Sequence, residues 1–428
     1  MWLLYFSTAY AGAGGEGEGP PMLALLWGLF LLAFVYLTAH FLVERLQRNY
    51  LFSSGIEYIA LGIGLSYIAV FQNMHTYLPA ITFAIGWIGL MFGMQFSPRK
   101  CFQDRVALRL VFTEIVLVGF GVGTFAALFI YTFVEKNWDV SIACGGMLGS
   151  AALATSSSAI DVVKQRFPSL NAHVLGSLFR ASQLNNLFAI IIFGLMVCRF
   201  RSQLLVPQLG EFDPFVGGAI LAGMTILFGL ILALLYAVFL IENDSEQSRF
   251  LAMTGIICFA AGAAFYVGLP VLVLTLSLGL GLLMTKNKAS IFSMMDSAKK
   301  PVLLILLIFA GVQFTNVPFA KTALLFFGFV IFRFLLKALS SWLSSYGSSI
   351  RGDIFRGHLA QGEISLAIAM SFHLLLEGPA VDMAYAVAIA SVALHELFSP
   401  RWLRGLLIDL GEIRDDVTLM EESGHGRS

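Results

Sequence analysis

The sequence predicts an all-α polytopic membrane protein with about 13 transmembrane helices. Of its 428 residues, 58% are hydrophobic and 12% are charged, whereas soluble domains are about half apolar and about a quarter charged. The chain divides into apolar runs that are long enough to cross a hydrocarbon core. The connections between these runs are alternately rich and poor in basic residues, as the two sides of a membrane require.

Thirteen apolar runs of 17 or more residues are candidate transmembrane helices. They lie at 22–43, 55–72, 77–96, 110–134, 139–163, 173–198, 213–241, 250–267, 269–285, 301–317, 322–346, 357–377 and 380–400. Only the turn Gly268–Leu269–Pro270 separates the eighth run from the ninth. The connections are short, so consecutive helices are expected to be antiparallel neighbours.

The distribution of basic residues predicts the orientation of the chain. With the N-terminus outside, the cytoplasmic connections carry 17 Lys and Arg residues and the outer connections carry 4. This bias fits the positive-inside rule and would be lost if one helix were missing. We expect a cytoplasmic C-terminus and an integral protein of the bacterial inner (plasma) membrane.

The regions outside the apolar runs are small. Residues 1–21 form an N-terminal segment that we expect to be flexible and uncleaved, because no positively charged region precedes its short apolar run. Residues 22–408 form one transmembrane domain, and 409–428 form a short cytoplasmic tail. The equal numbers of acidic and basic residues indicate no nucleic-acid partner. The four cysteines are far apart, and nothing in the sequence indicates a disulfide framework, an enzyme, a cofactor or a structural metal.

Two apolar runs contain polar clusters. In the first cluster, Thr155, Ser156, Ser157 and Ser158 follow Gly149, and this arrangement favours a discontinuous helix over hydroxyl groups that bond to carbonyls one turn earlier. The second cluster is Gln361–Gly362–Glu363. Interrupted helices in both halves of a chain indicate an inverted-repeat transporter with its site at the midplane. We expect non-helical backbone near 154–157 and 361–363, with the two breaks close together.

Several ionisable residues and an amide pair also lie in the apolar runs, where such groups are costly and usually functional. They are Glu114, Asp161, Arg180, Asn185, Asn186, Arg333, Lys337 and Glu363. Arg333 and Lys337 share a helix face, so either can hold carboxylates, amides or broken-helix carbonyls at a central site, or can tie neighbouring helices together. Asp161 can bind a cation or can pair with Arg180 or Lys164. In an inverted repeat, the helix of Glu114 is the symmetry mate of the helix that carries Lys337.

The order of these segments resembles the cation:proton antiporter superfamily, the sodium/proton and potassium-efflux exchangers. GIEYIALGIGLS and GWIGLMFGMQF are similar to the family's second and third spans. ATSSSAIDVVKQRF resembles the interrupted helix of the potassium-efflux branch, and ASQLNNLFAIIIF resembles the "ESLLNDAvalvlF" segment of the sodium/proton branch. LLIFAGVQF, AQGEISLAIA and HELFSPRWLRGLL follow in family order, so the resemblance covers about residues 22–408.

The resemblance implies an inverted repeat with two crossed discontinuous helices, and a core domain beside a dimerisation domain. It implies elevator-like alternating access, a homodimer formed by the helices outside the core, and a site at which a proton and a monovalent cation compete for an aspartate. In some members a lysine neutralises this aspartate, and Lys337 matches that position. Runs 22–43 and 213–241 carry almost no internal charge and are expected to face lipid or a partner protomer.

The chain departs from the family at the carboxylates. Asn186 stands where the family has its aspartate, Ser156 where the sodium/proton branch has the "TDP" aspartate, and Ala181 where it has a glutamate. An amide cannot exchange a proton. A centre with Lys337 and Arg180 but no acid would be net positive, unless Asp161, Glu114 or Glu363 supplies the missing charge. We therefore expect Asn186 to face the crossing, and Lys337 to bond to Asn186, to carbonyls or to serine oxygens and to release the exchanged proton itself.

Three functions are compatible with this sequence. The first is a secondary active transporter, a sodium or potassium/proton antiporter with an altered ion site. The second is a transport-inactive homologue that serves as a sensor or as the membrane subunit of a complex. The third is a carrier of an anion or neutral solute, for which a positive site would be suited.

Overall fold

The computed structural model describes most of the chain between residues 55 and 410. The described residues are 33, 37, 55–67, 77–157, 160, 173–205, 213–239, 246–285, 288–314, 317–346 and 351–410. The predicted first span, the N-terminal segment 1–21, the tail beyond Leu410, Ser158 and Asp161 therefore lie outside the described residues, apart from the isolated positions 33 and 37.

The described part of the chain is helical and contains no strand. Its helices are α1 Ile56–Leu65, α2 Leu78–Gln95, α3 Pro98–Gln103, α4 Arg105–Phe133, α5 Trp138–Leu153, α6 His173–Leu205, α7 Pro214–Phe239, α8 Glu246–Val267, α9 Val271–Leu282, α10 Lys288–Asp296, α11 Lys299–Val312, α12 Phe319–Ser345, α13 Glu363–Leu375 and α14 Pro379–Asp409. A π-helical segment, Ile115–Phe120, lies within α4, and a 3-10 helix, Ile354–His358, precedes α13.

The helices agree with the predicted spans. Each predicted span after the first contains a helix, and the predicted turn between the eighth and ninth spans is present, with Gly268 at a φ of 79°. Among the described residues, seven helices are long and apolar enough to cross a membrane. The protein is an all-α integral membrane protein, as the sequence predicts.

Both predicted helix breaks are confirmed, and they lie side by side. Helix α5 ends at Leu153, and residues 154–156 are non-helical. The segment 359–362 before α13 is likewise non-helical. The Ser156 amide donates a hydrogen bond to the Ala360 carbonyl at 3.0 Å, so the two breaks touch through their backbones. The same order of elements thus occurs in both halves of the chain. In the first half, α4 is followed by an interrupted segment and α6, and in the second half, α12 is followed by an interrupted segment and α14.

Gly149, which precedes the first polar cluster, lies within α5, because that helix continues to Leu153. It lies against α4, where an added Cβ atom would be 3.0 Å from the Gly123 Cα atom. The absence of a side chain at Gly149 therefore serves close helix packing, which is common between membrane helices.

Glycines also bring α2 and α9 into backbone contact. A Cβ atom added at Gly93 would lie 2.6 Å from the Leu276 carbonyl oxygen and 2.9 Å from the Gly279 Cα atom. Backbone atoms cannot move aside as a flexible side chain can. The glycines of GWIGLMFG, which the sequence interprets as a packing face, therefore form one.

This packing yields a stability prediction. Gly93→Ala should destabilise the protein by about 1–3 kcal/mol, because overpacking forces backbone shifts. Gly255→Ala in α8 is the matched control, since nothing lies within 4 Å of its added Cβ atom. Thermal unfolding of the detergent-purified variants measures both. Equal unfolding temperatures would contradict the close approach of α2 and α9.

Candidate functional site

The first break is held open because its backbone groups bond to other parts of the protein. In a continuous helix the Thr155 amide would bond to the Ala151 carbonyl. Here the Thr155 amide donates to Asn186 Oδ1 of α6 at 2.9 Å. The Ala151 carbonyl accepts from Gln361 Nε2 at 2.8 Å and from the Ser365 hydroxyl at 3.0 Å. Both groups of this lost hydrogen bond thus find new partners at the crossing, as a membrane interior requires.

Arg333 ties the two interrupted segments together. Its side chain is fully buried; Nε donates to the Ala152 carbonyl at 2.9 Å and Nη1 to the Leu359 carbonyl at 2.8 Å. Ala152 lies in the last turn of α5, where unpaired carbonyls carry partial negative charge. The sequence left open whether Arg333 holds groups at a central site or links neighbouring helices. These contacts favour a structural link between the two interrupted segments.

Glu114 supplies a carboxylate at the crossing. Its side chain is fully buried, and Lys337 Nζ, also fully buried, lies 3.2 Å from its Oε2 atom. Asn185 Nδ2 donates to the same oxygen. Lys337 Nζ also donates to Thr155 Oγ1 at 3.1 Å. The helices α4, α6 and α12 therefore meet the first break at one ion pair. Two of them, α4 and α12, are the predicted symmetry mates.

A second nitrogen group reaches the other oxygen of this carboxylate. His358 is fully buried, with Nδ1 3.3 Å from Glu114 Oε1 and Nε2 3.0 Å from the Leu178 carbonyl oxygen. The sequence interpretation missed His358. The sequence feature that could have indicated His358 is its position inside the apolar run 357–377, three residues before the polar triplet. Hereafter the residues Glu114, Lys337, Asn185, Thr155 and His358 are called the central network.

The structure shows which acid supplies negative charge at the site. The sequence predicts a net positive centre unless Asp161, Glu114 or Glu363 supplies the missing charge, and it predicts that Lys337 bonds to Asn186, to carbonyls or to serine oxygens. In the structure, Glu114 is the counter-ion of Lys337, and Asn186 accepts from the Thr155 amide. Asn185 and Asn186 lie on the same helix, and both reach the first break because one contacts its side chain and the other its backbone.

Arg180 is not a cation of the central network. Its Nε atom donates to Asp104 Oδ2 at 2.7 Å, and the Ser177 hydroxyl donates to the same oxygen at 2.8 Å. Asp104 caps α4 by accepting from the amides of the first turn. Burial raises the pKa of the Asp104 carboxyl, but the hydrogen bonds from the Ala107 amide, Arg180 and Ser177 outweigh burial and bring its pKa below the usual value. Arg180 therefore fastens α6 to the start of α4.

The remaining predicted site residues surround the crossing. Ser156 and Ser157 are buried at the first break. Glu363 begins α13, and its Oε1 atom lies 3.2 Å from Lys299 Nζ of α11. Both residues line a small cavity between α2, α11 and α13. Among the described residues, no group of three or more His, Cys, Asp or Glu side chains is arranged to hold a metal ion.

Comparison with known proteins places the fold. No family model matches the sequence, and no curated protein matches it. Among solved structures, the chain is similar to the sodium proton antiporter MjNhaP1 from Methanocaldococcus jannaschii, with a TM-score of 0.62 and 18% sequence identity. The match covers 89% of this chain and 97% of the antiporter. The chain therefore has the fold of that antiporter.

The ion pair of the central network yields a second stability prediction. Glu114→Gln keeps the side-chain shape but leaves Lys337 as an unpaired buried charge, which should cost about 3–5 kcal/mol. Adding Lys337→Met should recover most of this loss, because the unpaired charge is then removed. Asp139→Asn is the surface control, since its carboxylate is 75% exposed and 3.8 Å from Arg199. Unfolding in detergent measures all three; a double variant no more stable than Glu114→Gln would contradict the pairing.

Proposed function

We propose that the protein is a secondary active transporter that exchanges a monovalent cation, sodium or potassium, for protons. The observation that carries this proposal is a fully buried carboxylate, Glu114, at the crossing of two interrupted helices. Charged groups at membrane depth are expensive and usually mark an ion or proton pathway. The likeness of the fold to a sodium proton antiporter supports the same activity.

In this proposal, Glu114 replaces the aspartate that the sixth span lacks. A cation and a proton compete for its carboxylate, because each adds one positive charge at the same anion beside the charge that Lys337 already supplies. Asn185 Oδ1 is buried beside this carboxylate and has no hydrogen-bond partner among the described residues, so it offers a further oxygen to an entering cation. Asn186, Thr155, Ser156 and Ser157 shape the site by holding the first break open, and Asp161 lies beyond the break in sequence.

We propose elevator-like alternating access for this exchange. Arg333 fastens the two interrupted segments to one another, so they are expected to move as a unit with α4 and α6. The contact of Glu363 with Lys299 joins this unit to α11 beside the cavity described above. That boundary is where sliding would open and close access to Glu114.

The assembly and orientation of the chain follow the same proposal. Helix α7 exposes many large apolar side chains, among them Phe215, Met224 and Leu234, and such a surface requires lipid or a second protomer. We propose a homodimer with an external N-terminus and a cytoplasmic C-terminus. A C-terminal tag should be labelled only from the cytoplasmic side, and the detergent-purified particle should have the mass of two chains. Labelling from outside, or a stable monomer, would contradict the respective proposal.

The carboxylate of Glu114 bears on the other candidates. The proposal of an anion or neutral-solute carrier assumed a site without an acid, and Glu114 supplies an acid there. The transport experiment described next also tests the remaining candidate, a transport-inactive protein that serves as a sensor or as a membrane subunit.

Transport is tested with purified protein in liposomes, with internal pH followed while sodium, potassium or chloride gradients are applied. We expect sodium or potassium gradients to move protons, and Glu114→Gln to reduce this movement to the level of protein-free liposomes, because an amide carries no charge for the cation to compensate. Glu57→Gln in α1 is the matched control and should retain the activity. Proton movement with chloride alone would indicate an anion carrier, and none with any gradient would indicate a transport-inactive protein.

A further inference from the structure

The position of His358 constrains where its protons are. The residue ends the 3-10 helix Ile354–His358, and both of its ring nitrogens face oxygen atoms in a fully buried environment. Nε2 lies 3.0 Å from the Leu178 carbonyl oxygen. A backbone carbonyl can only accept a hydrogen bond, so Nε2 must carry a hydrogen atom.

The contact on the other side of the ring requires one more proton. If the ring is neutral with its hydrogen on Nε2, Nδ1 presents a lone pair to Glu114 Oε1 at 3.3 Å. An ionised carboxylate oxygen is also only an acceptor. Two acceptors cannot bond, and a buried polar contact without a hydrogen is costly. The contact is satisfied by an imidazolium with a carboxylate, or by a neutral ring with a carboxylic acid, and both states hold one proton between Oε1 and Nδ1.

The surrounding charges determine which proton can leave most easily. Lys337 faces the carboxylate from α12, and Arg333 lies one turn away on the same helix. From the other elements, Asn185 and Thr155 contribute neutral groups, and His395 of α14 bonds to the Ser391 carbonyl. Removing a proton from Lys337 would break its ion pair with Glu114. Removing the proton between Glu114 and His358 preserves that ion pair if the proton is on the ring, or forms it if the proton is on the carboxyl group. In both cases the excess of positive charge near Arg333 becomes smaller.

We propose that Glu114 and His358 share the proton released in each exchange, so that His358 is a functional residue of the site and Lys337 remains charged throughout. This inference rests on the exchange function proposed above. The proton leaves the Oε1–Nδ1 contact for water as one monovalent cation enters, so the charge of the central network is unchanged. One cation is then exchanged for one proton, and the exchange moves no net charge across the membrane.

The shared proton can be measured without transport. Nitrogen NMR of the full chain labelled with ¹⁵N-histidine distinguishes a charged ring from either neutral tautomer, and the signal lost in His358→Gln identifies this residue among the seven histidines. Infrared spectroscopy shows whether a carboxylic acid band of the native protein is lost in Glu114→Gln. Near pH 7 we expect a charged ring, or a neutral ring together with that acid band. A neutral ring with an ionised Glu114 would overturn the proposal.

The role of the shared proton in exchange is tested separately, in liposomes that contain the full chain. We expect native exchange to proceed at the same rate with and without an imposed membrane potential, and His358→Gln to flatten its dependence on pH. His373→Gln is the matched control, because His373 also contacts a carboxylate, Asp382, at 3.0 Å but lies outside the central network. Exchange driven by the potential, or an unaltered pH profile in His358→Gln, would overturn the role. Absence of exchange in native protein would refute the proposed function, while NMR would still decide whether the proton is shared.

Discussion

The arrangement of this protein depends on one requirement: a backbone that is broken inside the membrane must have its hydrogen bonds restored by its surroundings. At the first break the Thr155 amide bonds to Asn186 instead of to Ala151, and the Ala151 carbonyl bonds to Gln361 and Ser365 instead of to Thr155. Each break therefore supplies what the other lacks. Because neither break can be satisfied alone, the crossing is expected to form only when both halves of the chain have folded against each other.

Charge compensation at the crossing follows from the same geometry. The end of α5 directs carbonyl oxygens toward α12, which explains why a cationic side chain such as Arg333 is stable there. A second cation, Lys337, lies one helical turn away, and two buried like charges require an anion. Glu114 provides it. A sixth span without an acid is thus compatible with a stable core, because the counter-charge enters from a neighbouring helix.

The sequence predicted the fold and both helix breaks, since these depend on hydropathy and on polar clusters in apolar runs. It also predicted that the helices of Glu114 and Lys337 are symmetry mates in an inverted repeat, and it named Glu114 among the residues able to supply the missing charge. It could not identify their direct contact, because pairing across the crossing depends on how the helices are rotated about their axes. For the same reason Arg180 was placed at the centre, whereas it binds Asp104. His358 was missed because a single histidine carries no spacing pattern.

Helix rotation also bears on how α4 carries the buried acid. This helix must direct Gly119 and Gly123 toward α5, where Gly145 and Gly149 approach their backbones. In a regular α-helix, residues five apart lie about 140° from alignment, so Glu114 and Gly119 would point in different directions. The π-helical segment Ile115–Phe120 begins directly after Glu114. Its hydrogen bonds join residues five apart and bring them toward one face. The change in helix type thus lies at the junction between the carboxylate that contacts Lys337 and the part of α4 that packs closely on α5.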